Sequence, residues 1–261
     1  NIEKLILTLF SVIGFSLVTS FVYIINDIFD IEFDKIHPEK RHRPIPSGKV
    51  SITLSLIISL IFISVGLSIL WVLSKSSFLL TIFYVVLNLL YSFKLKQISI
   101  IDLVIVSIGF IIRILIGSDI GNIELTQWTV VMVFLLSLFI TVTKRRDDVY
   151  QYEFKNKINR KVVSKYTVEY LDKLIIIISS VLLVSYLLFI TSENANNRYP
   201  SYFLIISFLF VLMGVFRYNQ ITYVENKSGS PLKILFKDIF LQISILLWII
   251  SFFITLYTDL L

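Results

Sequence analysis

The sequence predicts an all-α fold, a polytopic bundle of eight membrane-spanning helices. Hydrophobic residues fill 56% of the 261 positions, charged residues only 16%, and mean hydropathy is +0.86. These values leave too few polar side chains to cover a water-exposed surface. The apolar residues gather in continuous runs of roughly 17–23, long enough to cross about 30 Å of hydrocarbon as helices and without the alternation of barrel strands. The charges collect in every second connection.

The runs centre near Ile13, Ile61, Val85, Ser107, Phe134, Val181, Phe208 and Trp248. The first has no basic leading segment and no small-residue cleavage pattern, so it reads as a span and not as a signal peptide. Five Lys and Arg lie between Asn26 and Val50, two at Lys94 and Lys96, nine from Lys144 to Lys173, and four from Arg217 to Lys237. The opposite side holds Lys4, Lys75 and Arg198. An excess of this kind places the basic loops in the cytoplasm, with the chain in the plasma membrane. The net charge of +6 is then a one-sided field against anionic lipid, not a nucleic-acid surface. The absence of cysteine excludes disulfides and thiolate metal sites. The chain starts at Asn1 and its first span enters from outside, so a further span is expected upstream. The whole of 1–261 reads as one transmembrane domain.

Between the first two runs stands "NDIFDIEFDKIHPEKRHRPIPSGK", Asn26 to Lys49. If the first helix continues past the membrane edge, Asp27, Asp30 and Asp34 fall within about 60° of one another over roughly 10 Å, and Glu32 points elsewhere. Acids on one face repel unless a cation sits among them. An oxygen-only donor set favours Mg²⁺, which retains waters and completes its octahedron with substrate phosphates. The simpler alternative is a solvated acidic helix end, but charge at the exit of an apolar helix is costly unless used. Lys40, Arg41 and Arg43 follow, in a segment that Pro38, Pro44 and Pro46 keep out of regular helix. Alone they read as topology determinants; beside the acids they suit phosphate, which Arg grips bidentately and Lys as a point charge. His37 and His42 lie among cations, a poor setting for metal ligands. Arg113 stands mid-span in "GFIIRILIG", where a charge costs roughly 2.5–3.5 kcal/mol and needs a partner or a cavity. Asp102, earlier on the same helix, and a bound anion are the two partners expected.

The run "NDIFDIEFDK" carries the NDxxDxxxD pattern and resembles the UbiA superfamily of intramembrane prenyltransferases. Its extension through "HPEKRHRPIPSG" is similar to the decaprenyl-phosphate phosphoribosyltransferase branch, as are "YSFKLKQISIIDLVIVSIGFIIRILIG" and "RYNQITYVENKSGSP". The resemblance covers almost the whole chain and implies a UbiA-like helical bundle around a cavity that opens to the cytoplasm and to lipid. Quinone-type members carry a second acidic motif, DxxxD, after the fifth span. Here a polar loop, "TKRRDDVYQYE", takes that place. Its Lys144, Arg145 and Arg146 hold the phosphate of a lipid or of a sugar, or else serve as a positive-inside cluster. Asp148 stands where the branch has Glu.

The implied reaction moves a phosphoribosyl group from 5-phosphoribosyl diphosphate to a polyprenyl phosphate. Asp27, Asp30 and Asp34 are the expected Mg²⁺ ligands and catalytic acids. Asn26, Lys40, Arg41, Arg43, Tyr91, Lys94, Arg113, Lys144, Arg145 and Asp148 are the expected substrate-binding residues. Two rivals stand beside this reading: a UbiA-type enzyme joining a prenyl diphosphate to an aromatic acceptor, and a non-enzymatic transporter. The missing DxxxD counts against the first, and the gathering of acids at one membrane face against the second.

Overall fold

A computed structural model of the chain describes residues 2–36, 40–155, 162–192, 195 and 202–257. His37 and Pro38 lie outside the described residues. Every regular element among those described is helical: α1 (Ile2–Phe29), α2 (Ile31–Ile36), α3 (Ile52–Leu73), α4 (Lys75–Phe93), α5 (Ile101–Gly121), α6 (Gln127–Lys155), α7 (Val168–Ile190), α8 (Tyr202–Tyr223), α9 (Pro231–Lys237) and α10 (Ile239–Tyr257). Seven are long and apolar enough to cross a membrane, and α9 with α10, bent by 84°, makes an eighth if counted as one span. That agrees with the eight apolar runs. Large side chains such as Leu60, Val72, Leu79 and Ile239 stand exposed, as they must where the solvent is lipid.

Polar residues start three of the spans. Ser51 accepts from the Leu54 N–H ahead of α3, Ser74 from the Ser77 N–H ahead of α4, and Thr167 from the Tyr170 N–H ahead of α7. Each satisfies a backbone donor that a helix start leaves open, which matters most where water is scarce. One expectation is corrected here. The "TKRRDDVYQYE" stretch is not a loop, because α6 runs unbroken to Lys155. From Gln127 to Lys155 there is no Gly or Pro, so nothing interrupts the helix where it turns from apolar to charged.

The chain divides into two compact units: Asn1–Thr126 with Ile158–Lys165, and Gln127–Lys157 with Tyr166–Leu261. In the first, α1 packs on α3, α4 and α5, and α4 on α5. Its core joins Val18, Phe21 and Val22 of α1 to Leu70, Tyr84, Val85, Ile112 and Ile116. Contact between α1 and α3 is closest at two glycines: a Cβ on Gly66 would stand 2.6 Å from the Gly14 carbonyl oxygen. Lipid gives helices no hydrophobic reason to associate, so such backbone approach does the work.

In the second unit α6 packs on α7, and α8 on α7 and α10. The Tyr186 hydroxyl accepts from Trp248 Nε1 at 2.9 Å and bonds to the Ser207 hydroxyl at 2.6 Å, tying α7, α8 and α10 together. The bend between α9 and α10 falls at Asp238, whose Oδ2 takes two bonds from Arg217 of α8, at 3.0 and 2.6 Å. Asp238 Oδ1 meanwhile accepts from the Leu241 N–H and caps α10.

Gly66→Ala should force α1 and α3 apart and destabilise the protein by about 1–3 kcal/mol. Thermal unfolding in detergent would read this as a lowered midpoint, whereas Gly117→Ala, with nothing within 4 Å of its Cβ position, should leave the midpoint in place.

Candidate active site

Helix α1 leaves the apolar layer at Asn26 and Asp27, and its hydrogen-bond ladder crosses the break before α2. The Asp30 N–H donates to the Asn26 carbonyl at 2.9 Å and the Asp34 N–H to the Asp30 carbonyl at 2.8 Å. The three aspartates therefore keep helical phase. Asp30 and Asp34 are buried, Asp27 is partly exposed, and Glu32 faces outward with Lys35.

Each acid meets a cation. Lys96 Nζ lies 2.6 Å from Asp30 Oδ1, with both side chains almost wholly buried. Arg43 Nη1 bridges two acids, 2.7 Å from Asp27 Oδ1 and 3.2 Å from Asp34 Oδ2. Lys40 Nζ stands 3.8 Å from Asp34 Oδ1. Three carboxylates thus face three cations in one cluster. Among the described residues, no three acidic or histidine side chains already stand in metal-holding geometry. Arg41 turns to His42, donating from Nε to Nε2 at 3.2 Å.

The last turn of α4 completes the neighbourhood. The Ser92 hydroxyl donates to Asn26 Oδ1 at 3.2 Å, and Tyr91 is half-buried beside it. Lys94 is exposed at the end of α4, while Lys96, in the 3-10 turn Leu95–Gln97, turns inward to Asp30. Sequence reasoning named Lys94 and passed over Lys96, the lysine that meets the acids. The signal it lacked is the tight turn, closed by the Ile98 N–H donating to the Leu95 carbonyl at 3.0 Å.

In the second unit the charged end of α6 gives its three cations three different settings. Lys144 is exposed. Arg145 is buried and pairs with Asp148 one turn on, at 3.1 Å. Arg146 is a structural pin: Nε bonds to Asp172 of α7 at 2.9 Å, and Nη1 to the Thr222 carbonyl at 3.0 Å and to Asn226 Oδ1. Its guanidinium lies over the rings of Tyr150 and Tyr223. Beside it, the Ser228 hydroxyl donates to the Thr143 carbonyl, and a Cβ at Gly229 would meet the Asp147 carboxylate.

Arg113 does not pair with Asp102. Eleven residues separate them, roughly 16 Å of helix, and Asp102 is fully buried near the start of α5. Arg113 instead lies over the Phe110 ring at 4.8 Å and reaches the Tyr84 hydroxyl at 3.4 Å.

The fold and these motifs can now be set beside known proteins. The model of the UbiA prenyltransferase family matches residues 1–241. The chain belongs to this family. Among curated UbiA relatives, a decaprenyl-phosphate phosphoribosyltransferase of Mycolicibacterium smegmatis is 31% identical over 242 residues, covering 90% of this chain and 76% of that one. The enzyme of the same description from Corynebacterium glutamicum is 30% identical, covering 91% and 72%. A UbiA homologue from Archaeoglobus fulgidus, solved with GPP and Mg²⁺, superposes with a TM-score of 0.71 over 95% of this chain and 87% of that one, at 17% identity. This last likeness establishes the UbiA fold.

Two outcomes follow for this UbiA chain. Lys96→Met leaves buried Asp30 without its cation and should destabilise by about 3 kcal/mol, while Lys96→Met with Asp30→Asn should recover much of the loss; unfolding midpoints of the four proteins in detergent would measure the coupling. Arg146→Met should likewise lower the midpoint sharply, whereas Lys144→Met, which removes an exposed charge from the same turn, should not move it.

Proposed function

We propose that this chain transfers a 5-phosphoribosyl group from 5-phosphoribosyl diphosphate to a polyprenyl phosphate, at the cytoplasmic face of the plasma membrane. The observation that carries the reading is the balanced cluster of Asp27, Asp30 and Asp34 with Lys40, Arg43 and Lys96. It holds both the acids that a metal needs and the cations that a diphosphate needs. The two relatives near 30% identity support the same reaction class. The α6 motif supports it too, since arginine and lysine stand where a second acidic motif would serve a prenyl diphosphate.

Magnesium fits this cluster. The donors are all carboxylate oxygens, and Arg43 Nη1 already stands as a single positive centre against Asp27 and Asp34, so these acids accept concentrated positive charge. Arg43 is partly exposed on a loop, so it is placed to leave the acids for an incoming phosphate. Asp27, Asp30 and Asp34 would hold the ion. When bound, Mg²⁺ supplies neutralisation of the diphosphate as it departs.

The chain's own groups do the rest. Arg43 and Lys40 exchange carboxylate for diphosphate oxygens and hold the donor by its leaving group. Lys144 and Arg145 of the second unit are phosphate-binding residues in this reading. Lys96 stays with Asp30 and fixes the acidic face in place. The bond from the anomeric carbon to the diphosphate oxygen breaks, a bond from a lipid phosphate oxygen to that carbon forms, and diphosphate leaves with the electron pair. The acceptor is already anionic, so no general base is needed. Positioning and charge stabilisation account for the acceleration.

Purified protein with Mg²⁺ should release diphosphate from 5-phosphoribosyl diphosphate only when polyprenyl phosphate is added, with phosphoribosyl lipid appearing on thin-layer chromatography. Asp27→Asn and Asp34→Asn should each lower turnover at least a hundredfold while the protein still inserts and unfolds normally. Prenylated aromatic product from geranylgeranyl diphosphate and 4-hydroxybenzoate, with no phosphoribosyl lipid, would overturn the assignment.

A further inference from the structure

Arg113 is the thirteenth residue of the 21-residue helix α5, so about 18 Å of helix precede it and about 12 Å follow. A cation at that depth is expensive, and the structure gives it no carboxylate among the described residues. Its surroundings are aromatic: the Phe110 ring at 4.8 Å, the Tyr84 ring at 5.9 Å, the Tyr84 hydroxyl at 3.4 Å, and the Tyr23 hydroxyl beside it. These soften the cost of the charge without neutralising it. Nε is buried and makes no hydrogen bond. A guanidinium with a donor to spare, deep in an apolar layer and lacking a counter-ion, is a site for an anion.

Its place relative to the acids says which anion. Tyr23 and Asp27 are four residues apart on α1 and so share a face, and helical side chains lean toward the N-terminus, here away from the acidic end. Arg113, against the Tyr23 hydroxyl, therefore lies roughly one to two helical turns further into the membrane than Asp27. We propose that Arg113 binds the phosphate of the lipid acceptor. The inference rests on the proposed phosphoribosyl transfer. In an in-line displacement the attacking oxygen approaches the anomeric carbon from the side opposite the leaving diphosphate, with reacting atoms about 3 Å apart. With diphosphate at Asp27 and Arg43, that opposite side is the membrane side, where Arg113 waits. A phosphate carried on an isoprenoid reaches this depth from the bilayer with its chain already in hydrocarbon; the sugar donor's diphosphate has Lys40 and Arg43 nearer water.

The test uses full-length protein in detergent, with titrations of a short polyprenyl phosphate, the corresponding polyprenol and 5-phosphoribosyl diphosphate against wild type, Arg113→Gln and Arg113→Lys. In Arg113→Gln, affinity for the polyprenyl phosphate should fall about tenfold to a hundredfold toward that of the alcohol, while affinities for alcohol and donor stay within about twofold. Arg113→Lys should recover part of the loss. The unfolding midpoint of Arg113→Gln should stay level or rise, because a charge without a carboxylate partner has been removed from lipid. A fall in donor affinity with lipid binding intact would overturn the role and give the site to the sugar phosphate, and an equal loss for phosphate and alcohol would make Arg113 only part of the wall. Wild type that binds phosphate and alcohol alike would overturn the proposed reaction and this role together; wild type that prefers the phosphate, beside an unchanged Arg113→Gln, would overturn the role alone.

Discussion

A charge at the edge of hydrocarbon has to meet an opposite charge, because water is too scarce there to solvate it. That constraint organises the polar end of the first unit. Asp30 and Lys96 are both buried and stand 2.6 Å apart, which ties the end of α1 to the turn after α4. Arg43 joins Asp27 to Asp34 and so folds the basic loop back over the helix it follows. The same rule shapes the second unit, where Arg146 holds α6 to Asp172 of α7 and Arg217 holds Asp238 at the bend before α10. The Gly14–Gly66 approach and the apolar cores bring helices together; the ion pairs decide which polar ends meet.

A cluster of three acids and three cations has a chemical consequence as well. Left alone, three carboxylates on one helical face would repel, and three cations would face an uncompensated positive field. Interleaved, they are stable without substrate, and on the proposed reaction they are complementary to a metal–diphosphate pair, since acids and cations can trade a protein partner for a ligand of the same sign. The number of charge contacts is conserved in such an exchange. The binding energy left over can then act on the geometry of the reacting atoms, which is where it raises a rate. On the proposed reaction, the mobile member is the loop arginine and the fixed member is the buried lysine.

The fold was legible because its signal is cumulative: each span repeats an apolar residue some twenty times, and no single error matters. The acidic face was legible because i, i+3 and i+7 fix a helical phase that survived the short break at Asp30. Contacts made by turns were not. Lys94 and Lys96 look equivalent in "FKLKQIS", and only the 3-10 turn Leu95–Gln97 separates the inward one from the exposed one. Arg113 was recognised as costly, but of its aromatic partners only Phe110, at i−3, lies on α5; Tyr84 comes from α4 and Tyr23 from α1, and no spacing within α5 contains those two. The charged end of α6 was read as a loop because its composition is that of a loop; the absence of Gly and Pro was the better guide.

Lys144, Arg145 and Arg146 show most plainly why charge alone does not name a role. All three contribute equally to the positive-inside bias, yet successive residues on a helix point about 100° apart. One phase leaves Lys144 exposed, the next sets buried Arg145 beside Asp148, and the third drives Arg146 among α7, the end of α8 and the loop after it. Arg146 has committed Nε and Nη1 to protein atoms and its face to two aromatic rings, so its place is structural. Arg113 is the opposite case, with no carboxylate at hand among the described residues and a buried donor unused. What a cation does in this bundle follows from what the fold leaves it to bind, and helical phase settles that before any substrate arrives.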